Sequence, residues 1–198
     1  MSHLTDMAEA IDRFKIKDDD QIYGSRQGFR HNGIWNSVYK DRGHLLRERS
    51  ELLLIKDGCL FIQRKDPWDL SYKLPGGSTD VDVTVVETAI KECQEEALIT
   101  PCNVKHMGVY DIYFKDGIPV PKWLREADYP IKYTGYHTHI CVGQYKEPYR
   151  RHIDEGDKDD FYKKAKWIPI KDCKKFLKDY HLYALMEYIK EMGLNIQI

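Results

Sequence analysis

The sequence predicts an α/β fold, a mixed sheet flanked by helices. Three observations carry that prediction. Short apolar runs bounded by turn residues recur between residues 51 and 170, as strands do. Val86, Ala89, Ile90, Cys93 and Ala97 recur at helical spacing and form an apolar stripe. Residues 181–192 form a second helical stretch, after a short strand at 167–170 and a helical segment at 170–177.

The elements follow in order. Residues 7–14 read as a short amphipathic helix ended by Asp18-Asp19-Asp20. Residues 21–43, with Gly24, Gly28, an Asn32-Gly33 turn and Gly43, read as an irregular arm or a short hairpin. The chain thus divides into an N-terminal helix and arm, residues 1–45, and a main domain, residues 46–198. The runs at 51–55 and 59–63 meet around Asp57-Gly58, a strong hairpin signal. A loop with Pro67 and Trp68 leads to a strand at 72–74 and a Pro75-Gly76-Gly77 turn. Thr84 with Glu87 reads as a capping box, which starts the helix there. Residues 104–114 read as strand, and Pro119, Pro121 and Pro130 mark an insertion. Residues 136–145 are a strand with Thr138, Ile140 and Val142 on one face, and His137 and His139 alternate onto the other. Residues 146–160 form a polar, mostly acidic loop.

Composition excludes several function classes. A chain of 198 residues can bury a substantial single core. With 31 basic against 32 acidic residues, nothing global points to a nucleic acid polymer or a membrane surface. No apolar run approaches the ~20 residues of a membrane span, and residues 1–20 lack the apolar block of a signal peptide. The cysteines, at 59, 93, 102, 141 and 173, form no Cys-x-x-Cys pair and read as reduced thiols in a cytoplasmic setting.

The chemistry lies in the second half of the capped helix. Glu92, Glu95 and Glu96 are three and four residues apart and share a helix face. Such a cluster either faces water or holds a cation, and a charge run by itself reads as a solvated face. Oxygen ligands suit hard ions such as Mg²⁺ and Mn²⁺, which favour phosphate substrates. His137 and His139 are compatible with a two-histidine metal site, but no third ligand is evident and polar packing is the commoner role. Tyr113, Phe114, Trp123 and Tyr149 are candidates to stack on a base, against the commoner role of packing. Cys93 reads as a buried apolar filler.

Residues 77–99 resemble the Nudix box, whose pattern is Gly, five residues, Glu, seven residues, then Arg-Glu-apolar-x-Glu-Glu-x-Gly-apolar. Aligned without gaps, Gly77 is the opening glycine, and Glu92, Glu95 and Glu96 fall on the three metal-binding acids. Cys93 and Ile99 fill the apolar positions. Tyr72-Lys73-Leu74-Pro75-Gly76-Gly77 and Ala165-Lys166-Trp167-Ile168-Pro169-Ile170 match the flanks, so the resemblance spans roughly residues 48–192. Three positions depart: the family's glutamate is Val83, its arginine Lys91 and its closing glycine Leu98.

The resemblance implies a Nudix-type α/β/α sandwich of the MutT-like kind. It implies a hydrolase that splits a diphosphate bond in a nucleoside diphosphate-linked compound with Mg²⁺ or Mn²⁺. The implied metal ligands are Glu92, Glu95, Glu96 and the Gly76 carbonyl. The general base would come from the box or from the acidic loop, where Glu155 and Asp160 are the candidates. Arg64, Arg49 and Gly77 are the candidates to meet substrate. The N-terminal arm would pair two chains as a homodimer. Two other readings stay open: a Nudix-fold nucleotide-binding or regulatory module that has lost activity, suggested by Val83, Lys91 and Leu98, and a relative of isopentenyl diphosphate isomerase, suggested by Gly33-Ile34-Trp35.

Overall fold

A computed structural model describes residues 28–31, 34–41, 44–64, 72–79, 82–113, 134–149, 165–177 and 179–198. The expected helix at 7–14, the proline-marked insertion and the candidate bases Glu155 and Asp160 lie outside the described residues. Nine strands and two α-helices are described: β1 (Gly28–His31), β2 (Ile34–Asp41), β3 (His44–Lys56), β4 (Cys59–Arg64), β5 (Tyr72–Lys73), β6 (Gly76–Ser78), α1 (Val85–Glu92), β7 (Ile99–Tyr113), β8 (Gly135–Pro148), β9 (Lys166–Pro169) and α2 (Asp179–Glu191).

The sheet is mixed and is organised around β3. β3 runs parallel to β8 from Leu46 opposite Gly135 to Ile55 opposite Gln144. It pairs antiparallel with β2, β4 and β6. β7 lies antiparallel to β8, with three register irregularities before Gly108. β9 pairs with β4. The region expected as an arm or hairpin contains two strands that pair around Asn32-Gly33, His31 opposite Ile34. The Asp57-Gly58 turn joins β3 to β4 with two residues, both at positive φ (48° and 71°), the geometry of the primed hairpin turns.

The two faces of β3 bury different cores. Leu52 and Leu54 pack with Phe61, Cys141 and the α1 side chains Val85, Val86, Ala89 and Cys93. Leu53 packs with Leu60, Ile62, Ile140 and, from the C-terminal part, Ile170, Leu177, Ala184, Leu185 and Ile189. Helices thus cover both faces, the α/β/α sandwich expected, and Thr138, Ile140 and Val142 share one side as the alternation requires. The segment expected as a helix at 170–177 is a 3₁₀ turn, Ile170–Lys175. Among the described residues, no helix is long and apolar enough to cross a membrane.

The capping box at the start of α1 is complete. The Glu87 amide donates to Thr84 Oγ1 (3.1 Å), and the Thr84 amide and hydroxyl donate to Glu87 Oε2 (2.9 and 2.8 Å). Ser50, fully buried on β3, donates its hydroxyl to the Val85 carbonyl at 2.6 Å and ties the helix start to the sheet. Thr84→Ala removes the cap and is expected to lower stability by about 1 kcal/mol, read as a lower urea midpoint with an unchanged slope.

Candidate functional site

The acids stand at the end of α1, where the helix changes character. Cys93–Ala97 is a π turn, and Leu98 closes it in the left-handed region at φ 54°. The regular α spacing expected through Glu95 and Glu96 therefore does not hold: the wider turn re-aims both side chains. Insertions of this kind are frequent at functional sites. The exit does need the left-handed geometry that glycine accepts most easily, and Leu98 adopts it at a steric cost of roughly 1–2 kcal/mol.

The glycine turn and the acids face each other. A Cβ added at Gly77 would sit 2.3–2.5 Å from the Glu92 carboxylate, so only glycine allows this approach. Glu96 accepts from Lys73 Nζ (2.9 and 3.1 Å), the Gly76 amide (3.0 Å) and the Gln63 side-chain amide (2.5 Å). Burial, with the neighbouring Glu96 and Glu95, pushes the Glu92 carboxyl up to about 7. Glu95 is exposed, as is Lys91. The basic group bonded to this cluster is Lys73 of β5, not a residue of the box. Cys93 is fully buried, and burial pushes its thiol up to about 12, so it is a packing residue and not a nucleophile.

A divalent hard ion fits these residues. The donors are all oxygen, and Glu92 is held beside Glu96 where added positive charge would relieve the repulsion that raises it. Gln63 Oε1 is buried next to Glu96 without a hydrogen-bond partner among the described residues, an acceptor left over at the same spot.

A second polar centre, unforeseen from sequence, sits on the other face of β3. Glu51 is 1% exposed. It accepts from Tyr180 Oη (2.8 and 3.0 Å), pairs with His181 Nε2 (2.8 Å) and with Arg49 Nη2 (3.2 Å). Burial pushes this carboxyl up, but His181, Arg49 and the donated hydrogen bonds outweigh it and hold it at about 2. Arg49 also stacks over Tyr136, 4.8 Å from its centroid, and feels the charge of Glu96. Arg64 ends β4 opposite Tyr72 and is half-buried. Strand alternation sends it to the face opposite Gln63, the β4 residue that touches Glu96. Tyr113 is 37% exposed and Tyr149 half-buried, while Phe114 and Trp123 lie outside the described residues.

The strand histidines are not isolated polar packing. Glu48, 2% exposed, comes from the neighbouring strand to stand with them. Among the described residues, Glu48, His137 and His139 are the group of acids, imidazoles and thiols whose donor atoms converge to within 4.8 Å. Glu48 carried no signal in the sequence, where it is one acid in an Arg-Glu-Arg run.

Comparison with known proteins places the chain in a family. The NUDIX domain model matches residues 43–186. The chain belongs to the Nudix domain family. In fold it is similar to a NUDIX hydrolase from Nitrosomonas europaea (14% identity, TM-score 0.52), covering 77% of this chain and 93% of that one. It is also similar to a Bacillus subtilis pyrophosphohydrolase (16% identity, TM-score 0.51), covering 91% of this chain and 92% of that one, and to a MutT protein from Bacillus halodurans (14% identity, TM-score 0.51), covering 71% of this chain and 80% of that one. A search among curated proteins found no match.

The Glu51 network makes stability acid-sensitive. Its folded value lies below that of the unfolded chain, so its contribution is fully present above about 4.5 and is lost as pH falls toward about 2. Glu51→Gln is expected to lower stability markedly at pH 7 and much less near pH 2, measured by chemical unfolding at both values.

Proposed function

We propose that the protein hydrolyses a diphosphate linkage in a nucleoside diphosphate derivative, using a divalent metal held by the box acids. The observation that carries this reading is the packing of Glu92 and Glu96 against the Pro75–Gly76–Gly77 turn, with Glu92 lying over Gly77 and Glu96 bonded to the Gly76 amide. Glu92, Glu95 and Glu96, with the Gly76 carbonyl, would hold Mg²⁺ or Mn²⁺. When bound, the ion supplies neutralisation of phosphate charge and activation of water.

The chain's own residues have separate tasks in this reading. Lys73 and Gln63 fix the Glu96 carboxylate, which leaves Glu92 and Glu95 to complete the oxygen set. Gly77 lets the Glu92 carboxylate lie directly against the turn. Arg49, which feels the charge of Glu96, is assigned to substrate phosphate, since a guanidinium pairs two oxygens at once, whereas Arg64 leaves β4 on the face opposite Gln63. The base is drawn from the box or from Glu155 and Asp160. Family membership and the oxygen-only donor set support the class of reaction.

The second reading, a nucleotide-binding module without turnover, is favoured by one observation. Lys73, Gln63 and the Gly76 amide already saturate much of Glu96, where the box arginine is replaced by an exposed Lys91. One assay separates the two. A panel of nucleotides and nucleoside diphosphate derivatives is incubated with Mg²⁺ or Mn²⁺, and phosphate and pyrophosphate release is followed. Hydrolysis lost in both Glu95→Gln and Glu96→Gln is the expected result. Turnover that survives both changes removes the metal cluster from the reaction, and tight binding of one compound without turnover establishes the module instead. Gly77→Ala should displace Glu92 and reduce turnover at least tenfold while thermal unfolding stays cooperative.

A further inference from the structure

We propose that Glu48, His137 and His139 form a second metal site, separate from the box acids, that takes a borderline divalent ion of the zinc class. The parallel register creates it. Glu48 of β3 lies opposite His137 of β8, and Ser50 lies opposite His139, so alternation turns Glu48 and both imidazoles to one face. All three side chains are buried, and one donor atom of each lies within 4.8 Å of the other two.

The surroundings are those of a built site. His137 Nδ1 lies 2.5 Å from Asp111 Oδ1 of β7, which leaves Nε2 of that ring for the centre. Metal-ligating histidines typically donate their other ring N–H to a carboxylate, which fixes the tautomer and raises the basicity of the ligand. Tyr39 stacks on the same ring at 3.9 Å between centroids and fixes its plane. His139 places Nε2 3.0 Å from Glu48 Oε1 and Nδ1 3.2 Å from His106 Nε2, so both edges of this ring are also oriented. Two imidazoles and one carboxylate suit zinc-class ions, whereas Mg²⁺ asks for oxygen ligands. Three protein ligands leave a fourth position for water or another small donor.

This centre shares no ligand with the box acids, which pack on the Gly76–Gly77 turn beside Ser50 and Glu51. Ser50, two residues on from Glu48, bonds the carbonyl of Val85 at the start of α1. The alternative role for the same residues is a buried network held by hydrogen bonds alone, from Glu48 through His139 to His106.

Calorimetric titration of chelator-treated full-length protein with Zn²⁺, in excess Mg²⁺, separates the two roles. Visible absorption on adding Co²⁺ gives a second readout. The site predicts one equivalent of Zn²⁺ bound, retained in Glu96→Gln and lost in Glu48→Gln and His139→Gln. Asp111→Asn keeps all three ligands and should weaken binding about 10- to 100-fold. It therefore reports on the site even if the ligand variants fail to fold, which circular dichroism and thermal melts would reveal. No stoichiometric uptake by the unaltered protein overturns the proposal. So does uptake unchanged in Asp111→Asn, or uptake abolished by Glu96→Gln.

Discussion

The pleat of β3 is the constraint on which the rest of this structure depends. The strand is buried along most of its length and pairs with four others. Alternation divides the side chains of residues 48–54 between the two faces. Glu48, Ser50, Leu52 and Leu54 go to the side of α1, and Arg49, Glu51 and Leu53 to the side of α2. A slip of one residue would exchange the two sets, placing Glu51 against the apolar side of α1 and Leu52 against Tyr180 and His181. The long parallel register with β8 opposes that slip, because it sets both cores and both polar clusters at once.

Buried carboxylates meet two different environments in this fold. Glu51 keeps its charge inside the protein through three partners drawn from its own strand and from α2. Glu92 has a different balance: its net environment is desolvated and acidic, so its charged form is disfavoured until positive charge arrives. The first carboxylate locks α2 to the sheet, and the second stays desolvated beside Glu96 and Glu95.

Much of the local arrangement around the candidate site was legible in the sequence, because its signals are local. Thr84 and Glu87 reveal a helix start from three residues of spacing, and the cap is complete. Asp57-Gly58 reveals a two-residue hairpin, because few residue pairs accept positive φ twice. The acids and the glycine turn are read together because the chain joins them within a few turns of helix. Lys73, Gln63 and Glu48 were not legible as site residues. Each contacts a partner brought near by strand pairing, and an isolated lysine, glutamine or glutamate on a strand has no sequence context that distinguishes it from an ordinary solvated side chain. The π turn at Cys93–Ala97 was also hidden, since an apolar stripe at 3.6-residue spacing looks the same before and after one widened turn.

By itself the sequence determined the layered α/β class, the hairpin, the capped helix and the placing of three glutamates beyond a glycine turn. The hairpin, the cap and the acids beyond the turn each follow from stretches of at most about twenty residues. Tertiary structure alone decided which cation braces Glu96, which acid joins His137 and His139, and how Glu51 keeps its charge in the interior. The physical reason is separation along the chain: Glu48 and His139 are 91 residues apart, and Glu51 and His181 are 130 apart. Such pairs are chosen by strand register and by the cost of burying a charge without a partner, and neither is written in any single stretch of residues.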